Sequence, residues 1–409
     1  MSVEALTSAA NSDSARQASQ YRSFVAVSPG LEALLEQELR ELGIEGRSIP
    51  GGVECKGPVE HLWTIHHYSR LAESVRLRLR QFQSRSFAEL ERELLRLPWH
   101  GYLRPNEPYA VSVSCQGSRL YHTDAIAERV RRVVAQRIAQ RDASASTSVA
   151  GDDLDEPHVE QKLQVRVHRN NVQVSIDASG GRLHRRGYRT HVGTAPLRET
   201  LAAAVVRMLD QATRGRTFAE LWDPCCGSGT LLAEWLLLRQ GAAAQKDRGF
   251  AFESWPIHRR DEYAAWCQKR LVPTAGADHL HALGTDSDPR AIDASRHNLS
   301  SAGLGEHCEL ICDDFRRAVT RVPQGAAVVS NLPYGVRLAD KEHANQLFLK
   351  LDRLLLQRGD LRPAVVLTTF APPQAAQCDW KALATFANGG LRVTAWGLAL
   401  PSENVTGSG

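Results

Sequence analysis

Apolar residues recur along the chain with two periods, and the balance between them changes near residue 190. In the front part a period of two dominates. Val75-Arg76-Leu77-Arg78-Leu79-Arg80-Gln81-Phe82 sends its apolar residues mostly one way and its three arginines the other, as in a strand of an antiparallel sheet with one solvated face. Phe24–Val27, Val53–Cys55 and Tyr109–Val113 read as further strands. Leu163–Val167 and Val172–Ile176 also alternate and meet through Asn170-Asn171, a hairpin signal. Helical spacing lies between these strands. Leu31, Leu34, Leu35 and Leu39 share one face of a helix that Gly43 ends, and Val59–Tyr68 is a second helix. Ser86–Leu97 is a third, with Ser86 as N-cap and Glu89 three residues on. Thr123–Gln140 is a long amphipathic helix with Arg129, Arg131, Arg132 and Arg137 on its basic face.

Beyond a basic connector, Gly180-Gly181-Arg182-Leu183-His184-Arg185-Arg186-Gly187-Tyr188-Arg189, strands and helices alternate. Pro196 opens a helix over Leu197–Asp210. Strands are expected at Phe218–Trp222, Leu280–Gly284, Glu309–Cys312, Ala326–Ser330 and Ala364–Thr369. Helices are expected at Gly229–Arg239, Pro289–Ala302 and Leu347–Gln357. That alternation implies a parallel, doubly wound α/β sheet, closed by an antiparallel hairpin, Leu383–Phe386 and Leu391–Leu398, around Asn388-Gly389-Gly390. The expected organisation is a disordered polar tail (1–20), two small α+β units (21–83 and 84–180), a connector (181–196) and the doubly wound domain (197–409).

Charge sharpens this division. Residues 21–190 hold 25 Lys+Arg and 21 Asp+Glu, but five of those acids lie in one spacer, Gly151–Glu160. Without the spacer the front part has an excess of nine positive charges, whereas residues 191–409 hold 24 against 23. A basic front half suits an anionic partner such as nucleic acid. No stretch offers the ~18 consecutive apolar residues of a membrane helix, and the first twenty residues lack the basic start and apolar core of a signal peptide. The eight cysteines show no C-x-x-C pair and no zinc-type spacing, so they read as free thiols of a reducing, cytoplasmic compartment. Cys225-Cys226 is the one pair that could suggest metal or redox chemistry, and it lies inside a loop with another explanation.

That loop is Asp223-Pro224-Cys225-Cys226-Gly227-Ser228-Gly229-Thr230. It joins a strand to a helix, and its glycines let backbone approach a ligand closely. A phosphate-binding P-loop would need Gly-Lys-Ser/Thr, and no lysine is present; a dinucleotide fingerprint would need a third glycine where Leu232 stands. A third reading is an S-adenosylmethionine loop, in which Asp223 faces a cationic ligand and Cys225, Gly227, Ser228 and Gly229 line it. Asp286, after the next strand, could accept from both ribose hydroxyls, while Asp288 caps the helix opened by Pro289. After the third strand, Asp313 or Asp314 could meet the adenine amino group, with Phe315 near the ring. The fourth strand ends in Asn331-Leu332-Pro333-Tyr334. The lone pair of an aromatic exocyclic amine is delocalised into its ring. Carbonyls of Asn331 and Leu332 that accept its two hydrogens would hold the nitrogen toward tetrahedral geometry. Pro333 stiffens the loop and Tyr334 offers a face for a flipped-out base. Asn331 is counted with both the catalytic and the cofactor contacts.

Residues 218–335 thus resemble class I S-adenosylmethionine-dependent methyltransferases of the amino-methylating N/D-P-P-Y group. Ser28–Leu35, Ser118–Thr123, Leu183–Arg189, Ala195–Leu201 and Arg248–Pro256 resemble THUMP-domain RNA methyltransferases, and more narrowly the bacterial large-subunit rRNA guanine-N2 methyltransferase family. The resemblance spans about residues 22–400. It implies a Rossmann-like catalytic domain (197–409) behind a ferredoxin-like unit (21–83) and a THUMP-like unit (84–180). It further implies methyl transfer from S-adenosylmethionine to guanine N2 in structured RNA, rRNA being favoured over tRNA, with no metal required. Arg119, His122, Arg182, Arg185, Arg186 and Arg189 are the candidate RNA contacts. The tetrad departs from the family in having Leu332 where many relatives have proline. Asn-Leu-Pro-Tyr is also similar to rRNA adenine-N6 dimethyltransferases, so adenine is the alternative target. A non-catalytic RNA-binding factor on the same fold is the alternative of a different class.

Overall fold

A computed structural model of the chain describes residues 20–144, 160–191, 197–212, 218–245, 248–270, 279–333 and 338–398. The expected tail, most of the acidic spacer, part of the connector and Tyr334 lie outside the described residues. The chain forms two compact units.

The first unit is built on seven strands: β1 (Tyr21–Ala26), β2 (Gly46–Ile49), β3 (Gly52–Gly57), β4 (Ser74–Gln83), β5 (Tyr109–Gln116), β6 (Gln161–His168) and β7 (Asn171–Asp177). They form one sheet in the order β2-β3-β1-β4-β7-β6-β5. The two small units expected from the sequence therefore share a sheet, because β4 pairs antiparallel with β7. Only β5 and β6 run parallel, and the long helix Thr123–Ser144 supplies the crossover between them. The β6–β7 turn centres on Arg169 and Asn170, both with positive φ, one residue earlier than the Asn-Asn pair suggested. A bulge between Arg78 and Arg80 corrects the expected face of the three arginines. Arg76 and Arg78 stay on the polar face, while Arg80 turns to the apolar face and bridges Glu93 at 2.7 Å. Val25, Val53, Val75, Leu77, Val165 and Val174 line that apolar face and are buried. Ser86 caps the helix Phe87–Leu94, as its spacing to Glu89 predicts.

The units do not follow chain order. Residues 248–270, expected within the catalytic domain, belong to the first unit. Their aromatic side chains explain this. Phe250 and Phe252 are buried against His66, with ring centroids 4.8 and 5.0 Å apart, and Trp255 donates to Gln161 at 2.8 Å. Conversely, residues 27–38 belong to the second unit, where Glu38 pairs with Arg207 at 3.1 Å.

The second unit carries β8 (Glu220–Asp223), β9 (His281–Asp286), β10 (Cys308–Cys312), β11 (Ala327–Asn331), β12 (Ala364–Thr368), β13 (Lys381–Asn388) and β14 (Leu391–Leu398). Their order is β10-β9-β8-β11-β12-β14-β13. The first five are parallel and the β13–β14 hairpin is antiparallel, as the sequence predicts. Strand order reverses between β8 and β11, and ligands of open α/β sheets bind beyond the carboxyl ends at such a switch point. Trp222, Val328, Val366, Phe348 and Leu355 form the core beneath it.

A Cβ on Gly52 would meet the Val25 carbonyl oxygen at 2.1 Å, whereas one on Gly43 would meet nothing within 4 Å. Gly52→Ala is expected to cost at least about 2 kcal/mol by chemical denaturation, because backbone cannot yield. Gly43→Ala should cost about 1 kcal/mol through its positive φ alone.

Candidate active site

The four strand ends predicted to carry chemistry converge on a cavity of about 620 Å³ in the second unit, lined by Asp223, Gly227, Asp286, Asp313, Asp314 and Asn331 among others. Asp223 ends β8 and is 1% exposed. Its Oδ1 accepts from the Cys225 amide and the Ser330 hydroxyl, both at 3.1 Å. Its Oδ2 is buried with no hydrogen-bond partner among the described residues. Burial pushes this carboxyl up to about 7, with Asp286 adding repulsion against the Cys225 and Ser330 donors. An enclosed acceptor of this kind fits a cationic or N–H-bearing ligand group.

Gly227 and Gly229 take positive φ, which is why the turn after β8 needs glycine. The turn is fastened from the helix Pro289–Ser301. Ser295 donates to the Gly227 carbonyl at 2.7 Å and Asn298 to the Ser228 carbonyl at 3.0 Å. Asn298, buried, also donates to the His191 carbonyl and accepts from the amides of Thr190 and His191. Ser295, Asn298 and Ser330 escape a motif reading. For Ser295 and Asn298 the recoverable signal was polar residues at i, i+3 spacing on a buried helix face, whereas Ser330 lies in β11. Cys225 and Cys226 lie in this turn, and burial, first of all, raises both thiols well above their ordinary range.

Asp286 places Oδ2 on the Gly227 amide at 3.0 Å and Oδ1 on the Asp288 amide at 2.9 Å, so it holds the turn as well as facing the cavity. Asp288 caps its helix through the Arg290 amide. Asp314 caps the helix Phe315–Ala318 and pairs with Arg316, whose hydrogen bond holds its carboxyl down to about 2. Asp313 pairs with Arg317. Phe315 is buried against Trp222, with centroids 6.5 Å apart, so its ring belongs largely to the core. Leu332 is buried and Pro333 exposed. Among the described residues five carboxylates line the cavity, and Arg290 is its one arginine or lysine, exposed and already paired with Asp288. Such a lining repels a pyrophosphate and suits a positively charged ligand. These residues fit S-adenosylmethionine.

The expected RNA contacts separate into two groups. Arg119, His122, Arg182 and Arg185 are exposed. Arg186 and Arg189 are not available to a phosphate. The Arg186 side chain is 2% exposed and pairs at 3.0 Å with Glu234, which also accepts from the Tyr188 hydroxyl. Arg189 pairs with Glu199 and donates to the Leu197 carbonyl. Their charges satisfy buried carboxylates within the domain.

A doubly wound sheet in this order, with a glycine turn after its first strand and an acidic, cation-fitting cavity at its switch point, defines a class I S-adenosylmethionine-dependent methyltransferase. The family described as RMKL-like, methyltransferase domain, matches residues 186–371, and the RlmL ferredoxin-like domain matches residues 22–76. A putative RNA methyltransferase of Synechocystis sp., slr0064, is 30% identical over 342 residues, covering 82% of this chain and 85% of that protein. The ribosomal RNA large subunit methyltransferase K/L of Syntrophotalea carbinolica is 32% identical over 343 residues, or 81% of this chain. The match spans 47% of that relative's length. Among solved structures, a predicted N6-adenine-specific DNA methylase from Listeria monocytogenes aligns at TM-score 0.77 and 26% identity, over 93% of this chain and 97% of that one. SMU.472, a putative methyltransferase complexed with SAH, aligns at TM-score 0.77 and 24% identity, over 93% and 98%. The chain belongs to the RMKL-like methyltransferase family.

Asp223 must be ionised to hold a cation. Affinity for S-adenosylmethionine by calorimetry is therefore expected to rise from pH 6 to pH 8 and level off above. Asp223→Asn should bind at least about tenfold more weakly and lose that dependence. The sign for the ligand-free protein is opposite. A carboxyl raised in the folded state stabilises below its unfolded range and loses that contribution as pH climbs through about 7. Arg186→Ala, which strands Glu234 in the interior, should cost about 3–5 kcal/mol in thermal or chemical unfolding.

Proposed function

We propose that the chain transfers a methyl group from S-adenosylmethionine to the exocyclic N2 of a guanine in structured RNA, and that this RNA is large-subunit rRNA. The observation that carries this reading is the acidic cavity at the sheet's switch point, which ends on Asn331 and Leu332 beside Asp223. The relative named as a large-subunit rRNA methyltransferase and the match to its ferredoxin-like domain support the RNA substrate.

S-adenosylmethionine supplies a methyl carbon made electrophilic by its sulfonium. The chain's part is positioning. Asp223 and Asp286 orient the donor. The Asn331 side-chain carbonyl and the Leu332 main-chain carbonyl accept the two hydrogens of the amine, so its lone pair points at the methyl. Pro333 limits the loop, and Tyr334 stacks on the extruded base. The nitrogen becomes acidic once the new bond forms, so its surplus proton leaves without a strong base. Asp313 meets the adenine amino group in preference to Asp314, which is committed to its helix cap. Exposed Arg119, His122, Arg182 and Arg185 contact phosphates, and recognition in the front unit is mainly of shape.

Asn331→Ala is expected to lower kcat by at least about a hundredfold while leaving cofactor affinity within about twofold; retained turnover would remove the carbonyl-acceptor role. Nucleoside mass spectrometry of rRNA and tRNA incubated with the chain identifies the product. N2-methylguanosine in large-subunit rRNA is expected. N6-methyladenosine would move the target to adenine, and no methylated nucleoside despite cofactor binding would favour a binding factor.

A further inference from the structure

The sheet of the first unit has a second face, opposite its buried valines. Strand register puts Phe24, Arg76, Arg78, Gln164, Arg166 and Gln173 on that face. A cavity of about 610 Å³ opens there across β1, β4, β7, β6 and β5. Among the described residues its lining holds three arginines, three glutamines and two serines, and no carboxylate. A solvated sheet face needs no such run of donors drawn from four adjacent strands.

Arg76 and Arg78 are held rather than loose. Phe24, buried, lies 4.7 Å from the Arg78 guanidinium and 5.8 Å from that of Arg76, measured to the ring centroid, within cation–π reach. Arg78 also contacts Glu54 at 2.8 Å. Gln173 is fixed by donating to the carbonyls of Arg80 and Val174. Arg166 is exposed and has no ion-pair partner among the described residues. Burial disfavours the charge on Arg76 and Arg78, with Asp177 and Glu54 as opposing neighbours; an anion in the cavity would relieve that cost.

Three features narrow the ligand. The donors call for an anion with several acceptor oxygens. The one aromatic of the lining among the described residues, Phe24, is buried, which offers a base no platform there and favours phosphates over bases. A cavity of about 610 Å³ has room for a short strand segment and not for the cross-section of a duplex. We propose that this face binds the phosphodiester backbone of a single-stranded segment of the substrate RNA, with Arg76, Arg78 and Arg166 as its phosphate contacts. The assignment rests on RNA being the substrate.

The test is equilibrium binding of a fluorescein-labelled single-stranded RNA to the full chain, titrated over salt concentration. Arg166 is exposed, so Arg166→Glu tests the face without threatening the fold. It should weaken binding about tenfold and flatten the log–log salt slope by about 0.7. The Arg76→Gln, Arg78→Gln double variant should flatten it by about twice that, with S-adenosylmethionine affinity unchanged. Arg92→Glu, on an exposed helix position of the same unit, is the control and should bind as the unaltered chain does. Wild-type affinity and slope in Arg166→Glu would overturn the site, as would an equal loss in Arg92→Glu, which would mean a diffuse field. The product assay judges the substrate separately. RNA binding that depends on Arg166 without methylation would sustain this face and reject the proposed reaction. Methylation that is indifferent to Arg166 and to the double variant would do the reverse.

Discussion

The second unit is arranged around one enclosed carboxylate oxygen. Asp223 sits where strand order reverses, and its Oδ1 is satisfied by the turn that follows it and by Ser330 at the end of the neighbouring strand. Its other oxygen is buried with no partner among the described residues. Leaving a buried acceptor unmatched costs free energy, so the surrounding structure must hold it there. Glycines at positive φ, a turn fastened by Ser295 and Asn298, and Asp286 bonded to that turn all do so. A site that keeps such an acceptor ready needs little rearrangement to receive a cation.

Much of this was legible in the sequence, for a definable reason. The elements of the second unit carry strong local signals: short apolar runs for buried strands, a proline after Asp288 for a helix start, and glycines where the turn requires them. The acidic strand ends appear in the order in which a doubly wound sheet brings them together. The front unit was harder. Alternation identifies a strand but cannot reveal a bulge, so Arg80 was assigned to the wrong face. β2 was missed because Gly46–Ile49 has too few apolar residues to stand out, and it forms by pairing with β3. Nor could the sequence show that β4 and β7 pair, since pairing between distant strands leaves no local mark.

The basic connector shows a different limit. Its arginines looked alike as text, but burial separates them. Arg185 is exposed, while Arg186 and Arg189 neutralise Glu234 and Glu199. Positive charge counted along a chain therefore overstates what is free to meet a polyanion. The same count understates the polar face of the front sheet, where Arg76, Arg78 and Arg166 come from two strands far apart in sequence and meet only through the register. Surface potential belongs to the fold and only loosely to composition.

The exchange of segments between the units has a consequence for biosynthesis. The first unit takes residues 248–270 and the second takes residues 27–38, so neither is a contiguous length of polypeptide. The sheet of the first unit is fully synthesised by the end of β7, yet Phe250, Phe252 and Trp255 have still to emerge. At roughly 5–20 residues per second, apolar surface around His66 waits several seconds for its cover, exposed to the ribosome's surroundings. A cut near residue 190 would make that exposure permanent in one fragment and orphan an aromatic segment in the other. The protein is thus topologically a single article of synthesis, though it has two sheets.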